Sequence, residues 1–163
     1  MSIIFTQKLT RAAFSAFGEV IDVDGATHYP INNGLCERYH NLARAELKGE
    51  GGQVGLSIFK AQPYYMPLRL TMMERHPLGS QAFMPLSPAP FLVVVALDQN
   101  GSPGTPQAFM TQPGQGVSYP PNLWHGVVTP IGAAQDFLVV DRVGEGKNLE
   151  EFFFSTPYEI CQP

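Results

Sequence analysis

Two stretches of the chain alternate apolar and polar residues with a period of two, the mark of strands with one covered face. They are Val54-Gly55-Leu56-Ser57-Ile58-Phe59-Lys60 and Leu68-Arg69-Leu70-Thr71-Met72-Met73-Glu74-Arg75-His76. A third stretch, Phe91-Leu92-Val93-Val94-Val95-Ala96-Leu97, has no alternation and predicts a central strand covered on both faces. Read along the whole chain, the pattern predicts strands over 19–23, 35–42, 54–61, 68–76, 81–86, 91–97, 107–111, 116–119, 125–128 and 136–143. Between them stand Asn32-Asn33-Gly34, Gly49-Glu50-Gly51-Gly52, Pro77-Leu78-Gly79, Asn100-Gly101-Ser102-Pro103-Gly104 and Gln112-Pro113-Gly114. These supply the fixed or positive φ that tight turns require. Thr10 can cap a helix over 11–16, with Gly18 at its C-terminal end. Asn148, with Glu151 three residues on, predicts a second short helix over 148–152. About ten short strands at turn-rich spacing predict an all-β, mainly antiparallel barrel or jelly roll with one or two short peripheral helices.

Composition narrows this further. With 163 residues the chain is long enough for one domain with its own core. The nearest thing to a boundary lies around 64–67 and would divide residues 1–163 into two strand-rich halves, about 1–63 and 64–163. Charged residues are 15% of the chain, too few for a disordered or coiled-coil protein. The net charge is −4 and no basic run occurs, which argues against nucleic acid or an anionic membrane as partner. The N-terminus lacks a signal-peptide pattern, and Cys36 and Cys161 have no metal-like spacing. A cytoplasmic protein with free thiols is expected. The chain has no G-x-G-x-x-G, P-loop, nucleophile elbow or C-x-x-C, so no organic cofactor is expected. The low charge and the aromatic segment from Phe152 to Tyr158 point to a homodimer.

Alternation places Leu68, Leu70, Met72, Glu74 and His76 on one apolar, inward face that ends in a carboxylate and an imidazole. Buried unpaired, these would cost several kcal/mol, so they need partners, a ligand or a metal. The alternative is a strand that has already emerged into solvent by Glu74. In Gly116-Val117-Ser118-Tyr119-Pro120-Pro121-Asn122-Leu123-Trp124-His125 a Pro-Pro-Asn turn re-aims the chain and presents His125, as a functional or a structural histidine. Lys60 shares the face of Val54, Leu56 and Ile58 and is expected to point inward at a strand end, or to snorkel at the barrel rim. Arg38 and His40 share a face with Cys36 and Leu42. They offer a carboxylate-binding fork and an imidazole, or an ordinary solvated face.

Glu74-x-His76-x-x-x-x-Gln81 before the 91–97 strand resembles the first cupin motif, and Pro120-x-Asn122-x-x-His125 resembles the second, P-x-G-x-x-H. Glu74 stands where that pattern has its first His, Gln81 where it has Glu, and Asn122 where it has Gly. This resemblance implies a cupin-type barrel, jelly-roll or bicupin-like. It also implies that Glu74, His76, Gln81 and His125 would be the ligands of a divalent metal, Ni2+ first, with Mn2+ or Zn2+ also compatible. Over nearly the whole chain, Phe14-Ser15-Ala16-Phe17-Gly18-Glu19-Val20-Ile21, Arg38-Tyr39-His40, Glu74-Arg75-His76-Pro77-Leu78-Gly79-Ser80-Gln81-Ala82-Phe83, Trp124-His125 and Asp136-Phe137-Leu138-Val139-Val140-Asp141-Arg142 resemble the ureidoglycolate lyase family. The departures are Asn41 where an acid is expected, Lys60 where Arg is expected and Gly126 where a second His is expected. The resemblance implies a homodimeric lyase of allantoin (purine) breakdown that splits ureidoglycolate, a small anion, into glyoxylate and urea. Such a reaction needs a carboxylate holder and groups that move protons. Lys60 or Arg38, with His40 and Gln81, would bind the substrate, and Glu74, His76 and His125 would be catalytic. A metal-dependent cupin oxygenase or isomerase, or a non-catalytic small-molecule-binding cupin, is the alternative.

Overall fold

A computed structural model describes residues 2–163. It is nearly all β, with one four-residue helix, Arg11–Phe14, and one turn of 3-10 helix, Asn32–Gly34. Two sheets face each other. The larger has eight strands. Seven run in the order Ile3–Phe5, Glu150–Cys161, Leu68–Arg75, Trp124–His125, Phe91–Ala96, Gln107–Met110 and Gln7–Lys8, and Thr129–Pro130 also pairs with Phe91–Ala96. Both edges are formed by the first residues of the chain, which nearly closes the sheet into a barrel. The smaller sheet has five strands, in the order Glu19–Ile21, Gly116–Tyr119, Gln81–Pro85, Gln135–Val143 and Gln53–Ala61. Pairing is antiparallel except at Ile3–Phe5 and Gln7–Lys8. This is the barrel that strand count and turn spacing predict, and it is of the cupin type that the resemblance implies.

Phe91–Ala96 is buried along its whole length because it has a core on each side. Phe91, Val93 and Val95 point between the sheets, where Phe83, Phe109, Val117, Phe137 and Val139 meet them. Leu92, Val94 and Ala96 point outward under Leu70, Met73, Trp124 and Ile160. Burying each such side chain contributes on the order of 1.5–3 kcal/mol. Phe152, Phe154 and Tyr158 pack on this second cluster. The aromatic tail is therefore mostly core, with Phe153 alone strongly exposed.

The first helix is where the sequence puts it, with Thr10 Oγ1 accepting from the Ala13 amide at 3.1 Å, but it ends at Phe14. Gly18 has another reason to be glycine: a Cβ there would lie 2.2 Å from the Ser118 carbonyl oxygen. The expected helix over 148–152 is not formed. Glu150 begins a twelve-residue strand, and its carboxylate takes the Arg75 guanidinium at 2.6 Å. Asn148 does receive a backbone amide, but that of Leu78, across the fold.

Two face assignments are corrected. Val54, Leu56, Ile58 and Lys60 do share a face, but it is the outer one. Phe59 fills the interior instead, edge-on to Phe83. The inner face, Gly55, Ser57, Phe59 and Ala61, is the less apolar one, so alternation says which residues go together and not which way they point. In Leu68–Arg75 the strict alternation breaks: Leu70 and Met73, three apart, both enter the outer cluster. The register against Glu150–Cys161 shifts at the same place, between Phe153 and Tyr158. The shift lets Leu68 and Leu70 pack outward while Glu74 lies beside His125 on the inner side.

Candidate active site

Two segments distant in sequence build the site. Glu74 and His76 come from the end of Leu68–Arg75 and the residue after it. His125 comes from Trp124–His125, which pairs with both Glu74 and Val95. Trp124 anchors this short strand from outside. It is buried, its Nε1 donates to Asp98 at 2.9 Å, and the Arg75 guanidinium lies 4.4 Å above the ring. With Trp124 held outward, His125 must point inward. The preceding turn needs a left-handed residue, and Asn122 supplies it at φ 68°, the place a glycine holds in the motif it resembles. The Asn122 amide donates to the His76 carbonyl at 3.0 Å, which ties the two histidine segments together.

One ligand atom from each of Glu74, His76 and His125 lies within 4.8 Å of the others. His76 Nε2 is 3.9 Å from Glu74 Oε1. The hydrogen bonds fix both tautomers. His76 Nδ1 lies 2.7 Å from the Asn148 carbonyl and His125 Nδ1 lies 3.0 Å from the Gly126 carbonyl. A carbonyl only accepts, so each Nδ1 carries a proton, and in the neutral ring each Nε2 presents a bare lone pair. Both Nε2 atoms are buried without a hydrogen-bond partner. Two orphaned imidazole nitrogens beside a carboxylate, each oriented by a carbonyl behind it, are a donor set that fits a divalent cation.

Burial tunes the site. Desolvation pulls His125 down to about 3, assisted by His76 and opposed by the Gly126 bond, so its ring is neutral. Desolvation also raises Glu74, with Glu151 adding to the rise and His76 opposing it. In the chelated protein this predicts acid sensitivity. Below 6.5 the unfolded chain binds a proton at His125 that the fold refuses. Stability is thus intact above 6.5 and lost towards 3, by about 1.4 kcal/mol per pH unit. Glu74 acts oppositely, over an interval beginning near its ordinary 4.5. Urea unfolding is expected to show a loss of about 2 kcal/mol between pH 6.5 and 5, and His125→Asn is expected to flatten it. A wild-type profile no steeper than that of His125→Asn would mean that His125 is protonated inside the fold.

The facing sheet brings a second row level with the first: Tyr119, Gln81 and Asp141, paired in that order. The Tyr119 ring stacks on His125 at 4.6 Å and 22°. Burial and the nearby Glu74 charge raise its phenol well above the ordinary value. Gln81 Nε2 donates to Asp141 at 3.1 Å, while its Oε1 is buried without a partner. Gln81 is thus beside the triad's stacking partner, with its amide turned to Asp141. Tyr119, Asp141 and Asn148 were not singled out from the sequence for the site. The alternation of Val117 and Tyr119 carries the inward placement of Tyr119, but nothing local marks the other two.

The three cationic or imidazole candidates for substrate binding lie elsewhere. Lys60 is exposed on the outer face, not inward. It sits five positions along its strand from Gly55, which is level with Asp141, or about 17 Å away. Arg38 lies on the exposed hairpin His28–Ile31 and Cys36–Tyr39. His40, just beyond it, is exposed beside the Tyr29 ring. His28, without an evident partner in the sequence, pairs with Glu37 at 2.9 Å. Among the described residues, the ion pairs of Glu74 include no Lys or Arg.

A small β-barrel carrying an inward carboxylate and two imidazoles with bare Nε2 atoms defines a cupin-type protein with a cation-ready site. A family profile described as ureidoglycolate lyase matches residues 1–161. A Mesorhizobium japonicum protein named ureidoglycolate lyase is 60% identical over 163 residues, covering 100% of both chains. One of that name from a Chelativorans species is 59% identical over 160 residues, covering 98% of this chain and 97% of that one. Ureidoglycolate lyase 2 of Rhizobium meliloti is 53% identical, covering 93% of each. The chain belongs to the ureidoglycolate lyase family.

Proposed function

We propose that this protein is an enzyme that splits ureidoglycolate into glyoxylate and urea, with Glu74, His76 and His125 at its reaction centre. The observation that carries this reading is the pair of orphaned Nε2 atoms beside the raised Glu74 carboxylate, in a member of this family. In the reaction the carbinol O–H proton leaves, its electron pair forms the aldehyde C=O, and the C–N bond breaks. The departing nitrogen takes a proton to become urea. One proton therefore moves from oxygen to nitrogen. As neutral rings with the proton on Nδ1, His76 and His125 accept or ligate through Nε2. Glu74, held above the ordinary carboxylate range, takes the hydroxyl proton and returns it to nitrogen. Gln81 Oε1, an acceptor without a partner, suits the N–H donors of the ureido group, and Asp141 holds it in that orientation.

Glu74, His76 and His125 would hold a divalent metal, with Gln81 a fourth candidate across the barrel. A bound metal would supply the positive charge an anionic hydroxy acid needs in a pocket with no Lys or Arg on Glu74. Ni2+, Mn2+ and Zn2+ all suit mixed nitrogen and oxygen donors.

The same reading takes residues 1–163 as one functional unit, acting as a cytoplasmic homodimer in purine (allantoin) breakdown. Nine-position pairing of Gln53–Ala61 with Gln135–Val143 supports one unit, because it joins the two halves. No helix among the described residues is long and apolar enough to cross a membrane. The test is incubation of the purified protein with ureidoglycolate. Equal release of glyoxylate and urea without ammonia is expected. Ammonia release would make it an amidohydrolase, oxygen consumption an oxygenase, and binding without turnover a non-catalytic cupin. Any of these overturns the proposal.

A further inference from the structure

The smaller sheet has a second face, and it is apolar. On the outer side of Gln53–Ala61, Val54, Leu56 and Ile58 are 45%, 71% and 55% exposed. Cross-strand pairing sets Leu56 beside Val140 and Ala82, and Ile58 beside Leu138 and Met84. These four neighbours are only partly covered. The patch holds no charge at its centre. Its charges stand at its ends: Lys60 opposite Asp136 at one, and Arg142 at the other, where Arg142 is spent on the carbonyls of Lys48, Glu50 and Glu145. A charge-free apolar centre with polar ends is the make-up of a protein interface, and a contiguous patch of this kind on a monomer marks one.

The patch also runs to a free edge. Gln53–Ala61 pairs only with Gln135–Val143 and ends its sheet. It lacks the devices that protect an edge: no proline, no register shift along nine pairs, and one lysine near its end. The apolar residues lie on three of the five strands, because residues 41–45 lie against Ile21, Ser80, Ala82 and Ser118 on the remainder; three strands about 4.8 Å apart and up to nine residues long give roughly 300–400 Å2 in plan.

We infer that this face is where a second copy of the chain sits, in a two-fold contact centred on Leu56 and Ile58. The inference rests on the homodimer reading and moves its interface away from the aromatic segment at Phe152–Tyr158. An antiparallel edge and an apolar face without net charge are self-complementary under a two-fold axis, which a charged or phosphorylated partner would not match. The free Gln53–Ala61 edge continues the patch, so both features are covered by one contact.

The test is sedimentation velocity of the full chain at micromolar concentration. The wild type is expected as a dimer. Leu56→Glu and Ile58→Glu are expected as folded monomers with an unchanged circular dichroism spectrum, with dissociation constants at least 100-fold higher. Phe153→Glu, an equally exposed residue on the other sheet, is expected to remain a dimer. A monomeric wild type overturns the homodimer reading and this surface together. Dimeric Leu56→Glu and Ile58→Glu variants, or a monomeric Phe153→Glu, overturn the surface alone. If the glutamate variants do not fold, Leu56→Cys in a Cys36→Ser, Cys161→Ser background decides. A short bis-maleimide is expected to join it into a covalent dimer, whereas Leu35→Cys, also exposed, is not joined. Absence of that cross-link overturns the surface.

Discussion

Replacing Glu74 by Gln or His125 by Asn is expected to lower kcat by roughly 10²–10⁴-fold, the usual effect of losing an acid–base or charge-stabilising group. Gln keeps the size of Glu74 but cannot carry the proton from oxygen to nitrogen. Asn at 125 removes the Nε2 lone pair that the Gly126 carbonyl aims into the site. Because these groups act on charge that develops in the transition state, kcat should fall while KM changes little. Lys60→Met is the contrast. A lysine on the outer face about 17 Å along its strand from the triad's level should leave both constants within about two-fold. Steady-state kinetics on the three variants, with urea and glyoxylate measured, is the check. Wild-type kcat in Glu74→Gln and His125→Asn would move the chemistry out of this pocket.

Exhaustive chelation is expected to remove at least about 99% of turnover, on the scale of several kcal/mol that a site cation contributes to an anionic transition state. Re-addition of Ni2+, Mn2+ or Zn2+ should restore it. The reasoning is electrostatic. Glu74 is negative when it acts as base, the substrate is an anion, and no Lys or Arg pairs with Glu74 among the described residues. In a low-dielectric pocket this repulsion must be offset, and the two bare Nε2 atoms are the means available to hold the offsetting charge. Calorimetric titration of the chelated protein should show one site per chain, lost in His76→Asn and His125→Asn. Full activity after chelation, with no metal bound, would leave Glu74 and the two imidazoles to act alone.

The local patterns that were legible share one property: they depend on neighbours in the chain. All ten expected strands contain observed strand, because turn residues and period-two runs are written within a few positions of each other. Phe91–Ala96 reads as doubly buried because seven apolar residues in a row leave no polar face. The turn that aims His125 reads from Pro120-Pro121-Asn122, whose fixed φ and left-handed tolerance are properties of those residues alone. What failed was orientation and distant competition. The 148–152 helix lost to pairing with Leu68–Arg75, since Asn148 caps Leu78, seventy residues away, and Glu150 meets Arg75. Lys60 faces outward, against the inward expectation, because Val54, Leu56 and Ile58 are not core.

The sequence by itself determined a turn-rich all-β chain and its family. It also determined that Glu74, His76 and His125 are unusual for apolar surroundings. Only the tertiary structure decided which face is inside: Phe59 fills the space between the sheets beside Ser57 and Ala61, while the more apolar Val54, Leu56 and Ile58 face outward. It alone decided the imidazole tautomers, because the carbonyl behind His76 belongs to Asn148, 72 positions along the chain. It alone placed Tyr119 on His125 and Gln81 against Asp141, because those contacts cross between strands whose partners no local pattern specifies. Residue type and spacing set what each side chain can do. Strand register, a property of the whole sheet, sets what it meets.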